Sequence, residues 1–592
     1  VTTDPGRVTL AHLTTVDLSL RYLVLPQLEA GVATGWETLG ISAPGPYVAE
    51  VEATGVRHVP LPTSSRGWSL RSDIGAARDL WRILRREHVD ILHTHNPKPG
   101  LYGRILGRLA GVPIVVNTVH GLYATEDDPA LKRLVVYLLE AVASRFSDAE
   151  LVQSAEDAAL MARWRISPRH RTFVLGNGID LERFDPARFS AAERAAVRDE
   201  IGVGDDQVLV GVVGRLVAEK GYPELVEAAA GLDDRYVVVG IGPVDPEKAD
   251  ALGADFEHRA ASAGVRLLGM RTDVDRLYAA MDMFVLPSHR EGFPRAAMEA
   301  AASGLPVIAT NIRGCREVVE DGVNGLLISV RAPRRIADAI EAIGSDPALR
   351  RAMGEASRDR AVRLFDERTV VHRVFAAYHG VAMRKGLDAI AGTAPPMGEP
   401  SLRRAAPRDI PHLARLHMDA ISTGFLPRLG SSFMERLYAA MLEWDGAEVF
   451  VADGVWRPVG FVAGVTDVGA FYKYFVRHYG ISAAFAAAPR LVRPSILRRA
   501  WETLTYDGEH GGARAELLSM AVAPEARRRG LGTRLGMLLL DTLATRGEDR
   551  VKVVVGADNA SAIAAYRKMG FVPAGTVEVH AGETSEVLTW PS

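Results

Sequence analysis

Six short runs rich in β-branched residues recur along the first two-thirds of the chain. They are VTLAHLTT (8–15), VDILHTHN (89–96), PIVVNTVHG (113–121), VLVGVVGR (208–215), RYVVVGIG (235–242) and DMFVLPS (282–288). Each ends in a polar or glycine-rich turn, and segments of helical period such as DIGAARDLWRILRREH (73–88) lie between them. This alternation constrains the fold more than any other feature. Strands separated by helices must cross over, and crossovers build parallel sheets covered on both faces. The pattern restarts near Val208, after the charged stretch AAERAAVRDEIGVGDD. One hydrophobic core stops growing near about 250–300 residues, so the reading is two doubly wound α/β domains. In such sheets ligands gather at the carboxyl ends of the strands and in the cleft between domains.

The alternation ends in a helical stretch at 366–385. GTAPPMGEP (392–400) follows, rich in Pro and Gly, and reads as a linker. A new pattern then begins: a short strand, a helix with Ile410, Leu413, Leu416 and Ile421 on one face, and strands at 448–453 and 458–466. Across 592 residues, 48% are hydrophobic and 24% charged, which excludes a largely disordered, collagen-like or coiled-coil protein. Lys and Arg number 70 against 73 Asp and Glu, so the net charge of −3 gives no reason to expect nucleic acid as a partner. The single cysteine, Cys315, excludes an intramolecular disulfide and a cysteine-based zinc site, and fits a reducing compartment. No run of about eighteen apolar residues is present, and VTTDPGRVTLAHL at the start does not read as a signal peptide. The expected location is cytoplasmic.

Two elements of the first part carry chemistry. In HREGFPRAAMEAAASGLPVIAT (289–310), Glu291 and Glu299 stand eight positions apart, and a helix is expected to open at Pro294. The free amides of Gly292, Phe293 and the first helical turn make an anion site. In GRLVAEKG (214–221), Arg215 and Lys220 follow a strand and open a helix, two cations suited to a diphosphate. Taken singly, such residues are ordinary surface charges. Together, in this order and each after a strand, they resemble the donor domain of GT-B glycosyltransferases of the retaining, family-4 type. NGID (177–180), LGMRTDVDRLY (268–278) and RGCREVVEDGVNGLL (313–327) belong to the same pattern, and the resemblance covers about residues 8–385.

The resemblance implies an acceptor-side domain at 1–190, a sugar-nucleotide domain at 191–365 and a helix at 366–390 returning to the first. It also implies roles. Arg215 and Lys220 neutralise the diphosphate of a sugar nucleotide, with UDP the expected nucleotide. Glu299 holds the ribose hydroxyls and Glu291 the sugar, while the Gly292 and Phe293 amides add hydrogen bonds. His120, in TVHG, matches the family histidine near the reacting centre. His93 and His95 share a strand face; no third ligand is evident for a metal, and His95 is expected to line the acceptor cleft. Asp273 and Asp275 fit a D-x-D pattern, but N-capping is the expected role, and no metal is expected. TTVDLSLRY (14–22) lacks the paired glycines that many relatives have there, leaving Thr15, Ser19 and Arg21 for contacts in that loop.

In the last third, AELLSMAVAPEARRRGLGTRL (515–535) runs from strand to loop to helix, with Arg527, Gly530 and Gly532 in an R-x-x-G-x-G arrangement and Arg529 and Arg534 beside it. Glycines there let backbone approach a diphosphate at a helix N-terminus. VKVVVGADNASAIAAYRKMGF (551–571) follows. The pair resembles GNAT acyltransferases over about 401–592, after a linker at 391–400. The fold implied is α+β with a mixed, mostly antiparallel sheet whose strands 515–522 and 551–557 splay. Acetyl-CoA is the implied cofactor, held by the Arg527–Gly532 loop and Asn559. Tyr566 is the implied acid for the thiolate, and Glu516, or a water, takes the amine proton. AFYKYFVRHYGISAAFAAAPRLVRPSILRRAW (470–501) reads as acceptor-side helices, the alternative being an interfacial segment on anionic lipid.

The whole reads as a two-enzyme fusion. A retaining glycosyltransferase moves sugar to a glycan or lipid-diphosphate acceptor, and an N-acetyltransferase acts on an amino sugar, in surface polysaccharide or glycoconjugate synthesis. The alternatives are an acyl half serving an unrelated amine, or one half reduced to a binding module of an assembly complex.

Overall fold

The computed structural model describes residues 7–65, 70–95, 97–124, 128–245, 248, 250–391, 400, 402–421, 426–454, 458–491, 513–523, 526–527, 530–580 and 583–591. The chain forms two compact units, Val1–Pro395 and Pro396–Ser592.

The first unit holds two parallel sheets. In the first lobe run β1 (Thr9–Val16), β2 (Glu37–Ala43), β3 (Arg57–Pro60), β4 (Ile91–His95), β5 (Ile114–Val119), β6 (Ala149–Val152) and β7 (Thr172–Val174). Their order is β3-β2-β1-β4-β5-β6-β7, with every ladder parallel. The second lobe holds β8 (Val208–Val213), β9 (Tyr236–Ile241), β10 (Val265–Leu267), β11 (Met283–Leu286), β12 (Val307–Thr310) and β13 (Gly325–Ile328), in the order β10-β9-β8-β11-β12-β13. The switch points, β1/β4 and β8/β11, are where such sheets open a crevice. Central strands such as β5 and β9 are buried at every position, which is why they read as unbroken apolar runs rather than alternating ones.

Three helices of this unit position the site. α1 (Ala130–Ser144) lies on the first lobe. Its inner face is fixed by buried Tyr137 and by Glu140, which pairs at 2.6 Å with a buried arginine, Arg104, itself 2.9 Å from Glu150. α2 (Arg295–Ala302) starts one residue later than the sequence suggests: Pro294 is its N-cap, in extended conformation. α3 (Glu367–Lys385) is capped by Asp366, whose carboxylate accepts from the Arg368 amide. It returns to the first lobe, where Phe375 stacks on Trp36 and Lys385 pairs with Asp148 at 2.6 Å.

The second unit has one mixed sheet: β14 (Leu402–Arg404), β15 (Ala447–Asp453), β16 (Pro458–Val465), β17 (Ala515–Val522), β18 (Arg550–Gly556), β19 (Val572–His580) and β20 (Glu583–Pro591). The order is β14-β15-β16-β17-β18-β20-β19, antiparallel except at β17–β18. Helices α4 (Val468–Leu491), α5 (Leu531–Thr545) and α6 (Ala560–Lys568) accompany it. The 470–501 segment is therefore helical over its first part; Phe471 and Phe475 enter the core while Ile481 and Phe485 stay exposed. Residues 492–501, like most of the linker, lie outside the described residues. Among the described residues no helix is long and apolar enough to cross a membrane.

Candidate active sites

Between the lobes of the first unit lies a cavity of ≈ 230 Å³. The first lobe contributes His120, Gly121, Leu122 and Tyr123, just past the end of β5. The second contributes Arg215, Val217, Glu219, Lys220, Lys248, Arg290, Glu291, Gly292 and Arg313. Five cationic side chains thus face two carboxylates, a lining suited to an anion with two or more charges. Lys220 Nζ donates to Glu291 Oε1 at 2.6 Å, and Ser288 Oγ donates to the same oxygen at 2.7 Å. Arg215 donates to Asp245 at 2.5 Å. Both expected phosphate cations therefore hold carboxylates, which keeps their long side chains in place.

Bare backbone makes the lobes meet. A Cβ on Gly292 would stand 2.0 Å from the His120 carbonyl oxygen, and one on Gly121 would stand 2.9 Å from Gly292 Cα. Gly121 also has φ +127°, which side chains disfavour. Around this contact, Arg313 pairs with buried Asp157 at 2.6 Å and donates to the Leu122 carbonyl at 2.9 Å, and Arg290 donates to the Tyr123 carbonyl. These bonds fix the loop that carries His120. Desolvation lowers the His120 pKa to about 4, so its imidazole is neutral near pH 7.

In the second unit, β17 and β18 pair only at Ala515–Val551 and Glu516–Lys552 and then part. The β16–β17 ladder slips as well: Ala463 faces Ser519 and Gly464 faces Leu517, which leaves Leu518 as an extra residue in β17. Buried Glu516 sits where the strands separate, 3.6 Å from Lys552 Nζ, and among the described residues its Oε2 has no hydrogen-bond partner. Burial raises its pKa to about 7, against the opposing pull of Lys552. Gly530, at φ +73°, is the N-cap of α5, and among the described residues a Cβ there meets nothing within 4 Å; a helix N-terminus of this kind suits an anion. Arg527 Nε donates to the Val522 carbonyl at 3.0 Å. A Cβ on Gly532 would make only ordinary contact with Val522 at 3.7 Å. Arg529 lies outside the described residues. Asn559 caps α6, accepting from the Ala562 amide at 3.2 Å. Tyr566 is buried against Phe571, and desolvation pushes its hydroxyl up to about 12, so it stays protonated.

Residues 29–183 match the model of Glycosyltransferase Family 4, and residues 193–360 that of the glycosyl transferases group 1. The UDP-Gal:alpha-D-GlcNAc-diphosphoundecaprenol alpha-1,3-galactosyltransferase of Escherichia coli is 32% identical over 327 residues, 54% of this chain and 82% of that protein. The chain belongs to the family-4 glycosyltransferases. CapM, a capsular polysaccharide biosynthesis glycosyltransferase of Staphylococcus aureus, is 26% identical over 62% of this chain and 96% of its own. Among solved structures, the first unit's fold is that of Anabaena HepE in complex with UDP and glucose (TM-score 0.52, 21% identity, 62% of this chain and 98% of that one). Sucrose-phosphate synthase from Thermosynechococcus elongatus shares it too (TM-score 0.56, 23% identity, 64% and 100%). Residues 418–571 match the acetyltransferase (GNAT) family, so the glycosyltransferase carries an acetyltransferase domain.

In this glycosyltransferase Arg215, Lys220, Glu291, Gly292 and His120 converge on one cavity, while Phe293 and Glu299 do not line it. Phe293 packs edge-on against Phe365. Glu299 sits within α2, 3.4 Å from the Tyr278 hydroxyl; burial raises its carboxyl, and Arg295 and Arg183 pull it back. Three expectations need correction. Asp273 stands at the N-cap position of the helix Val274–Ala280, but its carboxylate makes no capping bond, because Arg271 takes it with two bonds of 2.8 Å; Asp275 is bonded to Arg183. His95 is fully buried behind His120 and lines no cleft. His93 and His95 do have a third imidazole beside them, His12. In the glycine-poor loop, Arg21 is engaged with Glu50 at 2.7 Å. Sequence reasoning missed Arg290, Arg313, Lys248 and Gly121. Arg290 abuts Glu291 and Arg313 opens RGCRE, so both lay inside quoted motifs, but only the fold turns them toward one space.

Proposed function

We propose that the first unit transfers sugar, with retention of configuration, from a UDP-linked donor to a lipid-diphosphate-linked acceptor. The second unit then acetylates the amino group of an amino sugar in the same assembly of surface polysaccharide or glycoconjugate. The observation that carries the first half is the cavity that gathers His120, Arg215, Lys220, Glu291 and Gly292 from both lobes. Arg215 and Lys220 stabilise charge on the departing diphosphate, the largest demand of this reaction. Glu291, fixed by Ser288 and Lys220, orients the sugar, and neutral His120 bonds it from the opposite side. Protein cations supply the positive charge, so EDTA leaves the rate unchanged. Glu299 binds nucleotide, so Glu299→Gln weakens nucleotide affinity in calorimetry while Glu291→Gln chiefly lowers turnover.

A lipid-linked acceptor is supported by two observations. The E. coli relative is named for a diphosphoundecaprenol acceptor. The outer face of α1 carries Leu131, Leu134, Val135, Leu138, Leu139 and Val142, all between 41% and 74% exposed. These positions form one stripe of helical period. Lys132 and Arg133 lie on the same helix, and Trp164, whose ring lies tilted 5.6 Å from that of Tyr137, is exposed between Arg163 and Arg165. Apolar residues flanked by aromatic and basic ones suit the surface of an anionic bilayer. We therefore assign peripheral membrane contact to α1 rather than to 470–501, for which it is the alternative to acceptor-side helices.

In the acetyltransferase, acetyl-CoA supplies the activated acyl group. The α5 N-terminus at Gly530 suits its diphosphate, the parted strands β17 and β18 its pantetheine, Glu516 the amine proton and Tyr566 the thiolate. The deciding experiment pairs the full chain with a panel of sugar nucleotides, acetyl-CoA and polyprenyl-diphosphate sugars. Mass spectrometry reads the products and NMR the anomeric configuration. An α-linked product from an α-linked donor, together with an acetylated amino sugar, is the expected result; inversion, or sugar transfer only to soluble acceptors, overturns the reading.

A further inference from the structure

Behind the cavity four imidazoles stand in file through the first lobe. His12 lies on β1, and His93 and His95 on β4; His12 and His93 are ladder partners, and all three are fully buried. His120 Nε2 is 3.0 Å from His95 Nδ1, and His95 Nε2 is 2.9 Å from His12 Nδ1. His12 Nε2 is 3.4 Å from the hydroxyl of Tyr378, which α3 brings back from the far side of the second lobe. The same hydroxyl is 2.6 Å from His93 Nδ1, whose Nε2 is 2.7 Å from Thr118 Oγ1. Gln153 also hydrogen-bonds the His120 side chain.

Protons decide how such a file is arranged. A neutral imidazole has one N–H and one lone pair, and desolvation lowers all four rings far enough to keep them neutral near pH 7. Every contact therefore needs one donor and one acceptor, and placing one proton places them all. Tyr378 has a single O–H. If it donates to His93, its oxygen accepts from His12 Nε2, His12 Nδ1 accepts from His95, and His95 Nδ1 accepts from His120 Nε2. If it donates to His12, each bond of the file reverses, and the His120 proton sits on Nδ1. Hydroxyl donors make shorter bonds than N–H donors, so the 2.6 Å contact to His93 selects the first arrangement.

We propose that Tyr378, acting through His12 and His95, sets which nitrogen of His120 carries its proton, making these three positioning residues for the histidine at the sugar. This rests on the glycosyl-transfer reading of His120. Held with its proton turned inward to His95, His120 keeps Nδ1 as an acceptor for a hydroxyl donor. Three ring nitrogens within 4.8 Å also suggest a cation site. The 2.9 Å between His12 and His95 is a hydrogen-bond length and too short for two ligands of a tetrahedral ion. Ligands about 2.0–2.1 Å from one tetrahedral ion stand farther apart than that.

The test is nitrogen NMR on the full chain labelled with ¹⁵N-histidine, with His120 assigned by the signals lost in His120→Gln. In the wild type, Nε2 of His120 is the protonated nitrogen. Tyr378→Phe, and separately His95→Leu, shift it to a mixture or to Nδ1, lower kcat about tenfold and leave the donor KM unchanged; His95→Gln, which keeps a donor and an acceptor, recovers part of the rate. Thermal melting identifies any variant that fails to fold, and Tyr378→Phe, losing one oxygen, then stands alone. Unchanged His120 signals in folded Tyr378→Phe and His95→Leu overturn the proposal, as does stoichiometric metal in the purified protein that His12→Asn removes. A shifted proton with unchanged sugar transfer keeps the coupling and removes His120 from the reaction, which refutes the functional reading instead.

Discussion

At the scale of single residues, the charges in the cavity are the most exposed to test. Arg215→Ala or Lys220→Ala removes a group proposed to stabilise the departing diphosphate, and turnover should fall by a factor on the order of 10². Initial rates of sugar transfer at saturating donor check this; rates near wild type in both variants would remove them from the donor site. Glu516 gives a test by pH. Its pKa is raised to about 7 in the fold, so it holds a proton below that value and becomes a base above it. Acetyl transfer should therefore rise with pH through about 7 and level off, and Glu516→Gln should lose both the rate and the inflection. The same shift favours the folded state when the carboxyl is protonated, so its contribution to stability falls as pH rises from about 4.5 to 7. Residues of this kind were legible in the sequence because their chemistry is carried by type and spacing: a Glu eight positions before a Glu, an Arg and a Lys after a strand. His12 was not. One histidine in VTLAHLTT looks like any core residue until β4 places His93 opposite it.

At the scale of elements, periodicity located the strands β1, β4, β5, β8, β9 and β11 of the first unit to within about two residues, while shorter strands such as β3, β7 and β10 carry too few apolar residues to stand out. What periodicity could not supply is the direction of a face. The leucines of α1 have the spacing of a buried stripe, yet Glu140 and Tyr137 are the residues turned inward, because Arg104 needs a carboxylate. Leu134→Glu combined with Leu138→Glu should leave the melting temperature nearly unchanged, since both side chains are exposed. It should abolish sedimentation with phosphatidylglycerol vesicles; retained binding would assign the membrane contact elsewhere. The start of α5 offers a second test. Gly530→Glu places a side chain and a negative charge at the helix end proposed to hold the acetyl-CoA diphosphate, so acetyl-CoA binding in calorimetry should be lost while sugar transfer continues.

At the scale of the whole molecule, the linker region has too few apolar residues to share a core, and each unit has its own hydrophobic clusters. Separate expression of 1–390 and 401–592 should yield a fragment that transfers sugar and one that binds acetyl-CoA. Insoluble fragments would show that the halves fold as one.

The bond between His93 and Tyr378 spans 285 residues of sequence. At synthesis rates of about 5–20 residues per second, His93 leaves the ribosome roughly 15–60 s before the hydroxyl it bonds. Trp36 waits longer still for Phe375. During translation the first lobe must persist with an unfinished interior, and its last vacancy is filled only after the second lobe has been made. A nascent chain stalled before α3 is therefore the form of this protein most in need of a chaperone.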